Sequence, residues 1–317
     1  QVYPMIFGKR SDRELKYAKA KAKATEFFVD PSSVPHFKLN SDELHYTSIL
    51  TLSTYVNSRL SGDDGAEYMT DLQKVGSFYD SASNDERYRE YSDGYWTLAM
   101  ATYFLLGNYG SAKVCAEKVK EPDFYGARAR TLYDLIMFLL VPSQPVPPDL
   151  AILADYLAGE DVDRAEVISA ADSLLTEDSP EDTFFSGVLY VSISDAVSCS
   201  ARALLPGYTH LDINDWRSFL STEAAPKLLW QAQIGLAGVF AGENAFIQLP
   251  TGSGKTRSVE LLLRSRILAK HCRMAVVVAP LRALCSEIAR NLSAALKGIA
   301  RVKQASDVME IDSWFEE

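Results

Sequence analysis

"FIQLPTGSGKTRSVELLL", residues 246–263, decides how the last third of the chain is read. A short apolar run leads into a turn holding Gly252 and Gly254, and the turn opens onto a stretch of helix formers. Two glycines let the backbone turn tightly, so that consecutive N–H groups converge on one anion. Lys255 can then reach the outer phosphates of a nucleoside triphosphate, and the Thr256 hydroxyl can ligate Mg²⁺. The N-terminus of the following helix adds its partial positive charge. Thr251, Gly252, Ser253, Gly254, Lys255 and Thr256 are therefore the candidate residues for ATP and Mg²⁺. Lys255 and Thr256 are the candidate catalytic pair, with Thr256 as the metal ligand. The general phosphate-loop pattern has a Gly five residues before Gly254, where this sequence has Leu249.

The surrounding sequence repeats a rhythm. "PKLLWQAQIGLAGVFAGENAF" from Pro226 reads as a helix ending at Gly242, and "NAFIQL", 244–249, as a short strand. A long helix is expected from about Lys255 to Lys270. "RMAVVVAPL", 273–281, is dense in Val and bounded by Pro280, which suits a second strand. "RALCSEIARNLSAALKG", 282–298, is amphipathic and closes on Gly298. Strand, helix, strand, helix at this spacing predicts a βαβ unit with a parallel sheet and a right-handed crossover.

Three stretches carry a family resemblance. "LPTGSGKT", with an apolar residue in place of the first glycine, resembles the first motif of superfamily 2 helicases. "VVVAPLRALCSEIARNL", 276–292, is similar to their next motif, and its "PLRAL" followed by Glu287 looks most like the superkiller-like and archaeal repair helicase branch. "LLWQAQ", 228–233, resembles the adenine-reading glutamine motif; Gln233 fits it better than Gln231. The resemblance covers roughly the last ninety residues. It implies a partial RecA-like lobe, with Gln233 on the adenine, Lys255 and Thr256 on ATP and Mg²⁺, and Pro280, Leu281, Arg282 and Ala283 on a nucleic-acid strand. Arg282 is the side chain expected to grip that strand; the alternative is a surface Arg capping its own helix. The family also needs an Asp-Glu pair on a further strand and a second lobe. Here "VMEIDSW", 308–314, is an apolar run interrupted by Glu310 and ending in an acid at Asp312, with no second acid directly after it. The chain is accordingly expected to be the N-terminal part of a longer protein, cut before the catalytic acids and inactive alone as an ATPase.

Residues ahead of 226 read differently. "KRSDRELKYAKAKAKATEFF", 9–28, suits a solvated helix. In "YSDGYWTLAMATYFLLGNYGSAKVCAEKV", 91–119, residues Trp96, Tyr103, Gly107, Tyr109 and Ala112 fall at the spacing of one tetratricopeptide-type hairpin. The stretch departs from that pattern at Ala99, Met100 and Ala116, and 156–175 is a fainter echo. "VPSQPVPPD", 141–149, reads as a linker, and "LYVSISDAV", 189–197, suits either a strand or a buried helix. The expected organisation is a helical accessory domain over 1–140, the linker at 141–149, a second helical segment over 150–225 and the start of the motor lobe over 226–317. The expected fold class is a mostly α N-terminal region followed by a partial α/β lobe with a parallel sheet.

Charge separates the same two parts. The chain carries −10 overall. From Pro226 onward 12 Lys and Arg face 8 Asp and Glu, which leaves 20 against 34 for the rest. An acidic body does not suit a broad phosphate-backbone binder and suits a protein partner instead. Cys115, Cys199, Cys272 and Cys285 lie far apart, as in reduced thiols rather than a metal site or a disulfide framework. No apolar run is long enough for a membrane span. The function expected is an ATP-dependent helicase or translocase acting on DNA more than RNA, in antiviral defence or DNA repair. A partner protein such as a nuclease would dock on the helical region, in the cytoplasm, or in the nucleus of a eukaryote. A docking scaffold with a vestigial nucleotide site, or another phosphate-loop enzyme, is the alternative.

Overall fold

The computed structural model describes residues 41–236, 248 and 254–305. Among these are thirteen α-helices and three short 3₁₀ turns, with no strand; one isolated β-bridge joins Ser200 and Leu228. The chain divides into two compact units. The first takes the chain up to Ala154 together with Asp163–Val197, and the second takes Asp155–Val162 together with the chain from Ser198 onward.

The first unit is built around α3 (Ser92–Leu105), which packs between α2 (Met69–Ser83) and α4 (Tyr109–Ala116). Its sequence is apolar on every side, and Gly94–Thr102 are all buried, as expected of a helix with no face left for water. The turn into α4 passes through Gly107 at φ 71°, a left-handed conformation that a side chain would strain. Trp96, Tyr109, Ala112 and Ala116 are buried at this junction, where small residues let the two helices approach. The expected helical hairpin over 91–119 therefore forms. The Pro-rich stretch 141–149 carries no α-helix and ends in a 3₁₀ turn at Pro148–Leu150.

Two long helices close this unit, α1 (Ser41–Leu60) and α8 (Pro180–Cys199). "LYVSISDAV" lies inside α8, so of its two readings the buried helix is the one the structure adopts. Arg59 donates to Asp195 at 2.5 Å and to the Tyr55 hydroxyl at 2.7 Å. Burial pushes the Asp195 carboxyl above its ordinary range against the pull of Arg59. Between them in sequence lie α5 (Ala127–Leu140), α6 (Ala151–Leu157, in part of the second unit) and α7 (Arg164–Asp172). A capping box of Asp163 and Glu166 starts α7.

The second unit holds α9 (Ala201–Thr209), α10 (Ile213–Leu220), α11 (Gln231–Leu236), α12 (Lys255–Leu268) and α13 (Arg282–Ala295). Asp212 and Asp215 form the capping box of α10, whose Trp216, Phe219 and Leu220 share one buried face at i, i+3, i+4 spacing. That face joins Ala201, Leu205, Leu229, Leu261 and Ala295 in one core, so residues on both sides of position 225 are packed together.

Among the described residues of 226–317 the expected parallel sheet is not found, and with it goes the expected RecA-like α/β lobe. "AVVVAP" has no regular structure: Val276, Val277 and Val278 are 73%, 41% and 89% exposed. High β-propensity records a fit to a pleated, half-buried surface, and it makes a strand only where a neighbour accepts its hydrogen bonds. No such neighbour stands among the described residues. The other expected strand, 244–249, falls outside them except for Gln248, as do 9–28 and 308–314. The helix expected from Pro226 starts only at Gln231. The reason lies in distant partners: Leu229 donates to the Cys199 carbonyl at 2.9 Å and Ala201 to the Lys227 carbonyl at 3.1 Å, which holds 227–229 out of helical geometry.

Candidate functional site

α12 begins where the sequence placed it. Gly254 is its N-cap, at φ 81° with no side-chain cap, followed directly by Lys255 and Thr256, both exposed. The first amides of a helix have no partner within it, and here no side chain caps them. A fourteen-residue helix with such an end, a lysine and a hydroxyl beside it, has the donor set and field that a phosphate group requires. These residues fit a nucleoside triphosphate with its Mg²⁺.

Gln233 is brought to the same point. Its side chain is 4% exposed, its Oε1 accepts from the Trp230 amide at 2.8 Å and its Nε2 donates to the Gly254 carbonyl at 3.4 Å. The glutamine motif and the glycine turn, twenty-one positions apart, thus meet through one amide. Gly254 leaves room for nothing else, since a Cβ there would overlap Gln233 Nε2. Gly254→Ala should therefore cost about 1–3 kcal/mol, from left-handed strain and from displacement of Gln233. Urea titration of the purified chain checks this, and a variant as stable as the parent would show that the contact is slack.

The strand-contact candidates sit at the head of the next helix. Pro280 and Leu281 are exposed just before α13, and Arg282 and Ala283 form its exposed first turn. Thr251, Gly252 and Ser253 lie outside the described residues.

Behind the site lies a polar face that pattern reading missed. Arg257 donates to the Ala224 carbonyl at 2.5 Å and to Glu260 at 2.6 Å. Glu260 is buried, and burial raises its carboxyl above the usual range while Arg257 pulls it down. One helical turn on, Arg264 is 2% exposed, donates to the Ala295 carbonyl at 2.7 Å and lies over the Phe219 ring at 4.7 Å. Its Nε has no hydrogen-bond partner, and burial lowers its guanidinium pKa. The cation caps the carbonyl end of α13, where the helix dipole is negative. The available signal was spacing: Arg257, Leu261 and Arg264 at i, i+4, i+7 share one face, but charged residues on such a face read as solvated.

Residues 230–313 match the family model for DEAD/DEAH box helicases. A comparison of the chain with curated proteins gives no match. The matched residues hold Gln233, Gly254, Lys255, Thr256 and Arg282 in the order the motifs require. They point to a helicase-type function that depends on ATP and acts on nucleic acid.

Proposed function

We propose that residues 226–317 form the front part of an ATP-driven helicase or translocase of superfamily 2, nearest the superkiller-like and archaeal repair branch. The observation that carries this is the meeting of Gln233 with Gly254 at the open end of α12, inside the segment that matches the helicase family. In this reading Thr251–Thr256 bind the triphosphate, Lys255 neutralises its outer phosphates, Thr256 holds Mg²⁺, and Gln233 serves the adenine end. When bound, the metal nucleotide supplies the free energy of hydrolysis. The protein's own contribution is position and charge. Pro280–Ala283 meet the strand, with Arg282 on its backbone.

Residues 1–225 are read as the accessory part, linked at 141–149 and docking a partner protein such as a nuclease, in the cytoplasm or in a eukaryotic nucleus. Its hairpin over 91–119 is read as tetratricopeptide-like. A defence or repair role on DNA follows from that pairing of a motor with a docking module. ATP turnover by the intact protein, with and without single-stranded DNA or RNA, tests the proposal. Stimulation by DNA at least several-fold above RNA is expected. Turnover indifferent to either polymer favours another phosphate-loop enzyme.

A further inference from the structure

Three features of the molecule lie outside the reading above. A groove of about 800 Å³ between α1 and the start of α8 is lined by Val56, Leu60, Phe184, Glu177 and Asp178, but nothing shows what fills it. The exposed run Met274–Leu284 is apolar, with nothing beside it to name its occupant. The third is the arginine face of α12, where Arg264 is buried and Arg257 part-exposed.

Isolated buried guanidinium groups are costly, so one that persists needs compensation. Among the described residues Arg264 has no carboxylate partner. It is held by a helix-end carbonyl and an aromatic face instead. Those two contacts belong to different elements. Ala295 closes α13, whose first residue is Arg282, and Phe219 belongs to α10. Arg264 itself sits on α12, whose first residue is Lys255. One side chain therefore ties together the helix that starts at the phosphate site, the helix that starts at the strand site, and a helix of the preceding segment. Arg257, on the same face, adds a second tie, to the Ala224 carbonyl that follows α10.

We infer that Arg264 is a positioning residue, and that the helical pair at 201–220 acts through it as a brace setting the α12–α13 geometry on which coupling between Lys255 and Arg282 depends. The inference deepens the motor reading and rests on it. Arg264 touches neither nucleotide nor strand in this scheme. Its removal should loosen the relation of the two helices without emptying the phosphate site. Arg→Met at this position also removes a desolvated charge, so the fold should tolerate it.

The test uses the intact protein carrying Arg264→Met or Arg264→Lys. Nucleotide affinity is read with a fluorescent ATP analogue, and turnover with and without oligo-dT. Arg264→Met should lose oligo-dT stimulation of kcat by on the order of tenfold, with nucleotide Kd and unstimulated rate within about twofold of the parent. Arg264→Lys, which can still reach the Ala295 carbonyl, should recover part of it. Unchanged stimulation overturns the inference. So does a loss in which Kd rises while basal rate and melting temperature fall, since that marks a structural role only. If the parent protein itself binds no ATP, the motor reading fails separately. Nitroxide labels on Val259→Cys and Arg290→Cys, with native cysteines replaced, then decide the brace alone. Arg264→Met should broaden the distance distribution and Arg264→Lys should not; identical distributions reject it.

Discussion

Lys255→Ala is expected to lower ATP turnover by the intact protein on the order of 10²–10³-fold, the usual cost of deleting a preorganised charge from a phosphoryl-transfer site. Lys255 is the first residue of α12, exposed beside uncapped helix amides, so its ammonium adds to the field of the helix end. Alanine keeps the helix and even favours it, so the loss should appear without a fall in melting temperature. Kinetics and thermal melts on the same preparation separate the two effects. A variant that turns over ATP like its parent removes the motor and leaves the helical docking module as the function.

Trp216→Ala should be the most damaging single change to the second unit, at about 3–5 kcal/mol. Trp216 is fully buried, donates its indole N–H to the Thr209 hydroxyl at 3.2 Å and packs at 6.1 Å from the Phe219 ring. It belongs to the core that also contains Leu229 ahead of Gln233, Leu261 on α12 and Ala295 on α13. Truncation leaves a cavity in this core and removes the indole bond to the Thr209 hydroxyl, which keeps its own bond to the Leu205 carbonyl at 2.6 Å. A loss of that size approaches the whole stability of a small unit, which is of order 5–15 kcal/mol. Hydrogen exchange should show α9–α13 losing protection while α2–α5 keep theirs. Equal protection in both variants would mean the indole is not a keystone of this core. Trp216→Phe, which refills most of the space, should fall between.

Much of the candidate site was legible because its signals are local. The Gly-Lys-Thr turn announces a helix start, and α12 begins at Lys255. The stretch after Leu281 shows helical periodicity and a closing glycine, and α13 runs Arg282–Ala295, with Gly298 at φ 82°. Gln233 stands out in sequence by its place in a motif, and the structure sets it against Gly254. The mainly helical character of the chain before position 220 is likewise seen throughout residues 41–220.

Other features needed distant partners. A Val-rich run states a preference for a sheet but cannot supply the neighbouring strand, and Val276–Val278 stand exposed without a ladder. The apolar pattern after Pro226 suits a helix, yet Leu228 and Leu229 are drawn out of it by backbone bonds to residues near Ser200. Arg264 looks like a solvent-facing charge until Phe219 and Ala295 arrive from elsewhere in the chain to cover it, and the part-exposed Arg257 is tied to the Ala224 carbonyl. Composition, periodicity and motif order were enough to say where α12 and α13 begin. Which hydrogen bonds are shared across the chain, and which charges are buried, depended on three-dimensional packing. Desolvation and backbone pairing act between residues far apart in sequence, and no local window contains both partners.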